Sequence, residues 1–137
     1  MPKNADFFFS INIQEVLVIS KSGSEPIIDV RTPAELDQTG KIPGSYNIQI
    51  KDIKNVFENM PGDAFLEVYG FDKPELDEPF ILTCRSGRRA RRAEQILVNL
   101  GFTKIRVYDG SWNDWTAKNG PIEKVVDKTE EDWMYYE

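Results

Sequence analysis

The chain has 137 residues, 40% of them hydrophobic and 29% charged, and its 17 basic and 23 acidic side chains give a net charge of −6. That length suits one domain with a real core, and the acidic balance argues against a nucleic-acid binder. One cysteine and no histidine exclude an internal disulfide and any Cys–His or Ser–His–Asp machinery, argue against a dedicated zinc site, and fit a reducing compartment.

No apolar run approaches the ~18–20 residues needed to cross a bilayer. The start of the chain has three apolar residues in a row, Phe7, Phe8 and Phe9, which is too short for a signal peptide. It also lacks the Arg-rich, acid-poor character of a transit peptide. A cytoplasmic protein is expected, with a mitochondrial location compatible.

Asn12 and Glu15 form a capping-box pair ahead of Ile13, Val16 and Leu17 at helical spacing, and Gly23 closes that segment. Pro26-Ile27-Ile28-Asp29-Val30 reads as a short strand buried on both faces. Thr32, Pro33 and Glu35 start a second, short helix that stops at Gly40. After the turn Ile42-Pro43-Gly44, residues 46–50 suggest a strand with Tyr46, Ile48 and Ile50 on one face. Ile53, Val56, Phe57 and Met60 lie at helical spacing, as do Phe65, Leu66, Val68 and Tyr69, with Pro61-Gly62 between the two groups. Residues 74–79 form an acidic loop. Phe80-Ile81-Leu82-Thr83 is the strongest buried-strand signal, and it runs straight into Cys84. A helix is predicted from about Arg88 to Leu100, with Ala90, Ala93, Ile96, Leu97 and Leu100 as its apolar face and Gly101 ending it. Ile105 to Tyr108 reads as a last strand, and Asp109-Gly110-Ser111 turns into Trp112 and Trp115. Strands alternating with helices imply an α/β fold, a parallel sheet covered on both faces. The body is expected to be one domain over residues 1–124. Residues 125–137 form an acidic aromatic tail, either mobile or packed back through Trp133, Met134, Tyr135 and Tyr136.

The segment Cys84-Arg85-Ser86-Gly87-Arg88-Arg89-Ala90 carries the chemistry. In open α/β sheets, ligands bind beyond the carboxyl ends of the strands, and a predicted strand ends at Cys84 just before a predicted helix. Small Ser86 and Gly87 let the loop curl, its backbone N–H groups can converge, and the helix N-terminus adds partial positive charge. Arg85, Arg88 and Arg89 are permanently charged. Such surroundings favour an anion, and the expectation is that Cys84 acts as a thiolate nucleophile without a histidine base. A lone cysteine is often core filler, but Arg-Ser-Gly directly after it is not core composition. Five arginines within eight residues of an acidic chain set up a local field of opposite sign, suited to steering a small anionic substrate. Arg89 is the best candidate to close the loop, and Arg91 and Arg92 are read as solvent or partner contacts.

These residues resemble the rhodanese-like family of single-domain sulfurtransferases over about residues 10–123. The matching pieces are Ile28-Asp29-Val30-Arg31, then Gly40-Lys41-Ile42-Pro43-Gly44-Ser45 with Asn47-Ile48, then the Cys84 to Ala90 loop, then Tyr108-Asp109-Gly110-Ser111-Trp112 with Trp115. Tyr69-Gly70-Phe71-Asp72-Lys73-Pro74, Thr83-Cys84-Arg85-Ser86-Gly87 and Gly110-Ser111-Trp112-Asn113 look like its small eukaryotic branch, which includes thiosulfate:glutathione sulfurtransferases and heat-shock-region proteins. The resemblance implies a three-layer α/β fold with a central five-stranded parallel sheet. It implies Cys84 as nucleophile and Arg85, Ser86, Gly87, Arg88 and Arg89 as the cradle of a persulfide. Trp112 is a substrate-contact candidate, with wall packing as the plainer reading, and Asp29 with Arg31 resembles the family's structural pair. Many members have histidine where Lys41 stands, and Ser111 replaces a common glycine.

The reaction so implied has two half-steps. The Cys84 thiolate takes the outer sulfur of thiosulfate and releases sulfite, and a thiol such as glutathione, or cyanide, then removes that sulfur in a ping-pong cycle. No metal or cofactor is implied. The partners are a small anionic donor and a thiol acceptor, with a protein acceptor possible in chemical terms, and neither nucleic acid nor membrane. The arginines favour thiosulfate over mercaptopyruvate. A phosphatase or arsenate reductase of the Cys-x5-Arg type needs arginine at position 90, where Ala90 stands. A non-catalytic regulatory or docking module is the other alternative, and the intact Cys84 speaks against it.

Overall fold

The computed structural model describes residues 10–125. Helix α1 spans Ile13–Ser22 and opens on the expected capping box, Asn12 accepting from the Glu15 backbone N–H and Glu15 from that of Asn12. Strand β1 is Ile27–Asp29. Helix α2 is Pro33–Thr39, with Thr32 as its cap and Glu35 completing the box. Strand β2 is Tyr46–Asn47, followed by α3 at Ile50–Asn59 and α4 at Gly62–Tyr69. Then come β3 at Phe80–Thr83, α5 at Arg88–Asn99, β4 at Ile105–Val107 and α6 at Ser111–Ala117. No helix among the described residues is long and apolar enough to cross a membrane.

The strands form one four-stranded sheet in the order β2-β1-β3-β4, every neighbour parallel. A fifth strand was expected. Among the described residues its place is held by a single parallel bridge, Ser10 to Val107, with the Ile11 N–H donating to the Val107 carbonyl at 3.1 Å. Because side chains alternate across a strand, the sheet has two different faces. Ile28, Val30, Phe80, Leu82, Cys84, Ile105 and Val107 meet α3, α4 and α5 through Val56, Phe57, Phe65, Ala90, Ala93 and Leu97. Ile27, Ile81 and Tyr108 meet α1 and α6 through Val16, Ile19, Trp112 and Trp115. The first face is knitted by rings: Phe57 lies 5.3 Å from Phe102, 5.6 Å from Phe65 and 5.8 Å from Phe80, centroid to centroid. Each such pair adds roughly 0.5–1.5 kcal/mol beyond its buried area.

Two expectations shift. The strand expected over residues 46–50 ends at Asn47. Ile48 and Ile50 still donate to the Asp29 and Val30 carbonyls, but Gln49 takes the position before α3, without a side-chain capping bond, and Ile50 is already its first residue. On α4 only Phe65 is fully buried, while Leu66 and Val68 are 46% and 61% exposed. This two-turn helix packs through the ring of Phe65 against Phe57 and Phe71, and Tyr69 lies beside Phe65 on the same helix. Beyond α6, residues 121–123 return to the turn after α2, where Lys41 and Glu123 exchange backbone hydrogen bonds at 2.9 Å and Lys41 Nζ donates to the Ser45 carbonyl at 2.7 Å. The expected behaviour of the acidic aromatic tail, apart from Val125, lies outside the described residues.

The strand order places the site. The chain moves outward from β1 to β2, then crosses back to β3 on the other side of β1. The crevice at such a reversal opens at the carboxyl ends of the two inner strands, here at Arg31 and Cys84.

Candidate active site

Cys84 follows β3 directly and continues its alternation, so its side chain points to the same face as Leu82. Residues 85–87 turn the chain, and α5 begins at Arg88. The turn depends on Gly87, which has φ 94°, and a Cβ there would run into the Asp109 carbonyl oxygen. Only glycine takes this conformation in this space. The sharp turn points the start of α5 back at the sulfur: the Gly87 N–H donates to Cys84 Sγ at 3.1 Å and the Ala90 N–H at 3.4 Å. Two backbone donors and a helix N-terminus thus converge on one sulfur, an arrangement that stabilises negative charge there.

A second element braces the loop from the side. Ser111 accepts from the Cys84 backbone N–H at 3.1 Å, donates to the Tyr108 carbonyl at 2.7 Å and lies with its hydroxyl 3.9 Å from Sγ. It is fully buried and holds φ 53°, a left-handed conformation that a serine adopts at a cost. The next two N–H groups, of Trp112 and Asn113, donate to the Cys84 and Arg85 carbonyls at 3.0 Å each. The backbone polar groups at the start of the loop are therefore tied to the start of α6.

The arginines divide into different tasks. Arg85, Ser86 and Arg88 are exposed around the loop, whereas Arg89 is half-buried. Arg89 was expected to close the cradle, and its guanidinium is instead engaged by Glu35 of α2, Nη1 to Oε1 at 2.7 Å and Nη2 to Oε2 at 2.9 Å. This two-pronged contact holds the Glu35 carboxyl down at about 2 and pushes the Arg89 guanidinium further up. Glu35 also accepts from the Thr32 backbone N–H at 3.0 Å. One carboxylate thus closes the start of α2 and latches it to the cysteine loop. Arg91 is engaged by Asp109, Glu94 and Ser10.

Asp29 and Arg31 sit at the end of β1, each 1% exposed. The Asp29 carboxylate accepts from Arg31 Nε, Nη2 and the Arg31 backbone N–H at 2.8–3.1 Å. The remaining guanidinium donors reach Thr39 Oγ1 at 2.9 Å and the Gly40 carbonyl at 3.1 Å. The Trp112 ring lies 4.8 Å from the guanidinium carbon, and Trp112 is only 7% exposed. Its position is that of a wall against Arg31 rather than an open contact surface. Asn47 adds a clamp, donating to the Asp29 and Arg31 carbonyls at 2.9 and 2.8 Å.

Cys84 itself is 1% exposed, the floor of its loop rather than the bottom of an open cleft. Sequence reasoning missed two residues here. Glu35 was read only as part of a capping box, because its partner Arg89 is 54 residues away. In the sequence Ser111 stands out only as a replacement for a common glycine, and its hydroxyl is the available signal.

The rhodanese-like domain family matches residues 12–118. A rhodanese domain-containing protein of Drosophila melanogaster is 46% identical over 94 residues, covering 69% of this chain and 84% of its own. The human thiosulfate:glutathione sulfurtransferase is 32% identical over 110 residues, 80% of this chain and 94% of its own. Among solved structures, a human single-domain sulfurtransferase superposes with a TM-score of 0.74 at 29% identity, covering 82% of this chain and 98% of that one.

Proposed function

The chain belongs to the rhodanese-like family, and from that premise we propose that it is a thiosulfate sulfurtransferase working through a persulfide on Cys84. In the first half-step the Cys84 thiolate attacks the outer sulfur of thiosulfate. The new S–S bond forms as the old one breaks, and sulfite leaves with the electron pair. Sulfite is a stable anion, so the step needs no general acid, in keeping with a chain that has no histidine. In the second half-step a thiol such as glutathione, or cyanide, takes the outer sulfur and Cys84 departs as a thiolate, a covalent cycle with ping-pong kinetics. The cytoplasm or another reducing compartment suits the single free thiol.

The convergence of the Gly87 and Ala90 N–H groups on Sγ carries this reading. These donors are fixed before the reaction, so no reorganisation is needed as charge moves between the cysteine and the transferred sulfur. Exposed Arg85 and Arg88 bring the dianionic donor to the loop. Glu35 holds Arg89, and the Asp29–Arg31 pair with Trp112 holds the neighbouring strand end, so both are positioning residues.

The near-complete burial of Cys84 favours a second reading, a docking module in which the cysteine is inert. One experiment separates the two. The protein is treated with thiosulfate, desalted, and its intact mass taken. The enzyme reading expects one added sulfur on Cys84, removed by glutathione or cyanide. A mass that never changes under saturating thiosulfate overturns it in favour of the docking module.

A further inference from the structure

Four of the seven arginines are neutralised by carboxylates: Arg31 by Asp29, Arg89 by Glu35, Arg91 by Glu94 and Asp109, and Arg106 by Glu25. The other three, Arg85, Arg88 and Arg92, are exposed and make no ion pair or side-chain hydrogen bond among the described residues. Arg85 lies on the cysteine loop three residues before Arg88, Arg88 opens α5, and Arg92 shares the Arg88 face one turn later, about 6 Å further along the axis. Gln95 and Asn99 continue that exposed face without charge. In a chain of net charge −6, the cysteine loop and this face of α5 thus present three exposed cations, and none of the face's own residues is acidic.

A small dianion accounts for Arg85 and Arg88 but not for Arg92, which stands a helical turn beyond the loop. We propose that Arg85, Arg88 and Arg92 dock an acidic surface of a protein that carries the accepting thiol. This inference rests on the sulfurtransferase reading and names the acceptor for its second half-step. The docked thiolate attacks the outer sulfur of the Cys84 persulfide, a new S–S bond forms on the acceptor, and the bond to Cys84 breaks with its electron pair returning to the cysteine. No further oxidant or reductant is needed. A nucleic acid fits less well, since a phosphate backbone offers no thiol to take the sulfur.

The test uses protein loaded with thiosulfate and desalted, then mixed with three peptides of equal length. Each holds one cysteine, flanked by glutamates, serines or lysines, and loss of the added sulfur is followed by intact mass. At low salt the glutamate peptide should unload Cys84 about tenfold faster than the serine peptide, with the lysine peptide slowest. That advantage should fade as salt screens exposed charge. Arg92→Glu should remove about tenfold from the glutamate-peptide rate, while loading by thiosulfate and the serine-peptide rate stay within about twofold. Equal rates for the three peptides, or an unchanged glutamate-peptide rate in Arg92→Glu, overturn the docking face while leaving the sulfurtransferase reading intact. Failure of the wild-type protein to load at all overturns that reading first, and the docking face with it.

Discussion

The two ends of the sheet are built on opposite plans. At the carboxyl ends of β1 and β3 the side chains of Asp29, Arg31 and Cys84 are buried. Cys84 is 1% exposed, and the region is crowded with donors: the Gly87 and Ala90 N–H groups on the sulfur, the Arg31 guanidinium on Asp29, the Arg89 guanidinium on Glu35. Clefts lie at the amino ends among the described residues. One of about 380 Å³ is bordered by Glu25, Pro26, Tyr46 and Pro79, and one of about 770 Å³ by Phe57, Asp72, Glu75, Leu76 and Phe102. Neither touches residues 84–89. These two clefts are thus separate from the cysteine loop to which the proposed chemistry belongs. A nucleophilic sulfur needs fixed dipoles at contact distance, which a tight loop supplies and a wide acidic cleft does not.

The largest effect that sharpens this contrast is the loss of the sulfur itself. Cys84→Ser keeps the loop's donors and removes the atom proposed to carry the sulfur, so thiosulfate-dependent transfer to glutathione should fall by about a thousandfold or more, with the thermal midpoint little changed. A normal rate in that variant would place the chemistry elsewhere. Next in size is Arg31→Ala. It leaves the Asp29 carboxylate buried beside an empty space, and breaking one side of a buried ion pair costs about 3–5 kcal/mol. Urea unfolding should report that loss. Since Arg31 also packs on Trp112, the rate should drop even at temperatures where the variant stays folded.

How much of this was visible in the sequence follows the range of the interactions. The capping boxes Asn12/Glu15 and Thr32/Glu35 were legible because each closes within three residues. The strand at Phe80–Thr83 was legible because it is buried on both faces and so reads as an unbroken apolar run. The cysteine loop was legible because its glycine, serine and arginines are contiguous. The early end of β2 and the exposed side of α4 were not, since neighbouring elements decide both. The same holds within the site: the Ser111 hydroxyl meets Cys84 across 27 residues and Glu35 meets Arg89 across 54. Local spacing carries no information about contacts of that range.

A smaller effect separates the latch from the loop it holds. Glu35→Gln keeps a side chain that can still complete the capping box and removes only the charge facing Arg89. The contact is partly exposed, so its loss should cost about 1 kcal/mol or less in stability, with a several-fold drop in the rate of sulfur loading as α2 and α5 lose their tie. The pH dependence has a definite sign. The Glu35 carboxyl is held at about 2 in the fold against an ordinary 4.5. The latch therefore contributes fully above 4.5 and is lost as pH falls through about 2. Wild type should lose stability across that window, whereas Glu35→Gln should lack that component, so the stability gap between the two should close on acidification. A gap that stays constant down to the acid limit removes Glu35 from the latch.

The smallest expected effect tests the acidic end. Asp72, Glu75 and Asp77 are exposed, and their side chains make no hydrogen bond or ion pair among the described residues. If the wide clefts were the place of reaction, these carboxylates would repel a dianionic donor, and neutralising them would speed its capture. If the reaction belongs to the loop at the opposite end, the charges act only through screened, long-range repulsion. Asp72→Asn combined with Glu75→Gln should then leave stability within about 0.5 kcal/mol and the rate of loading by thiosulfate within about twofold at physiological salt. A large rise in that rate would move the donor's binding place to the amino ends of the strands. An unchanged rate leaves these carboxylates the solubilising role of an acidic surface, and leaves sulfur capture with the backbone N–H groups that turn back on Cys84.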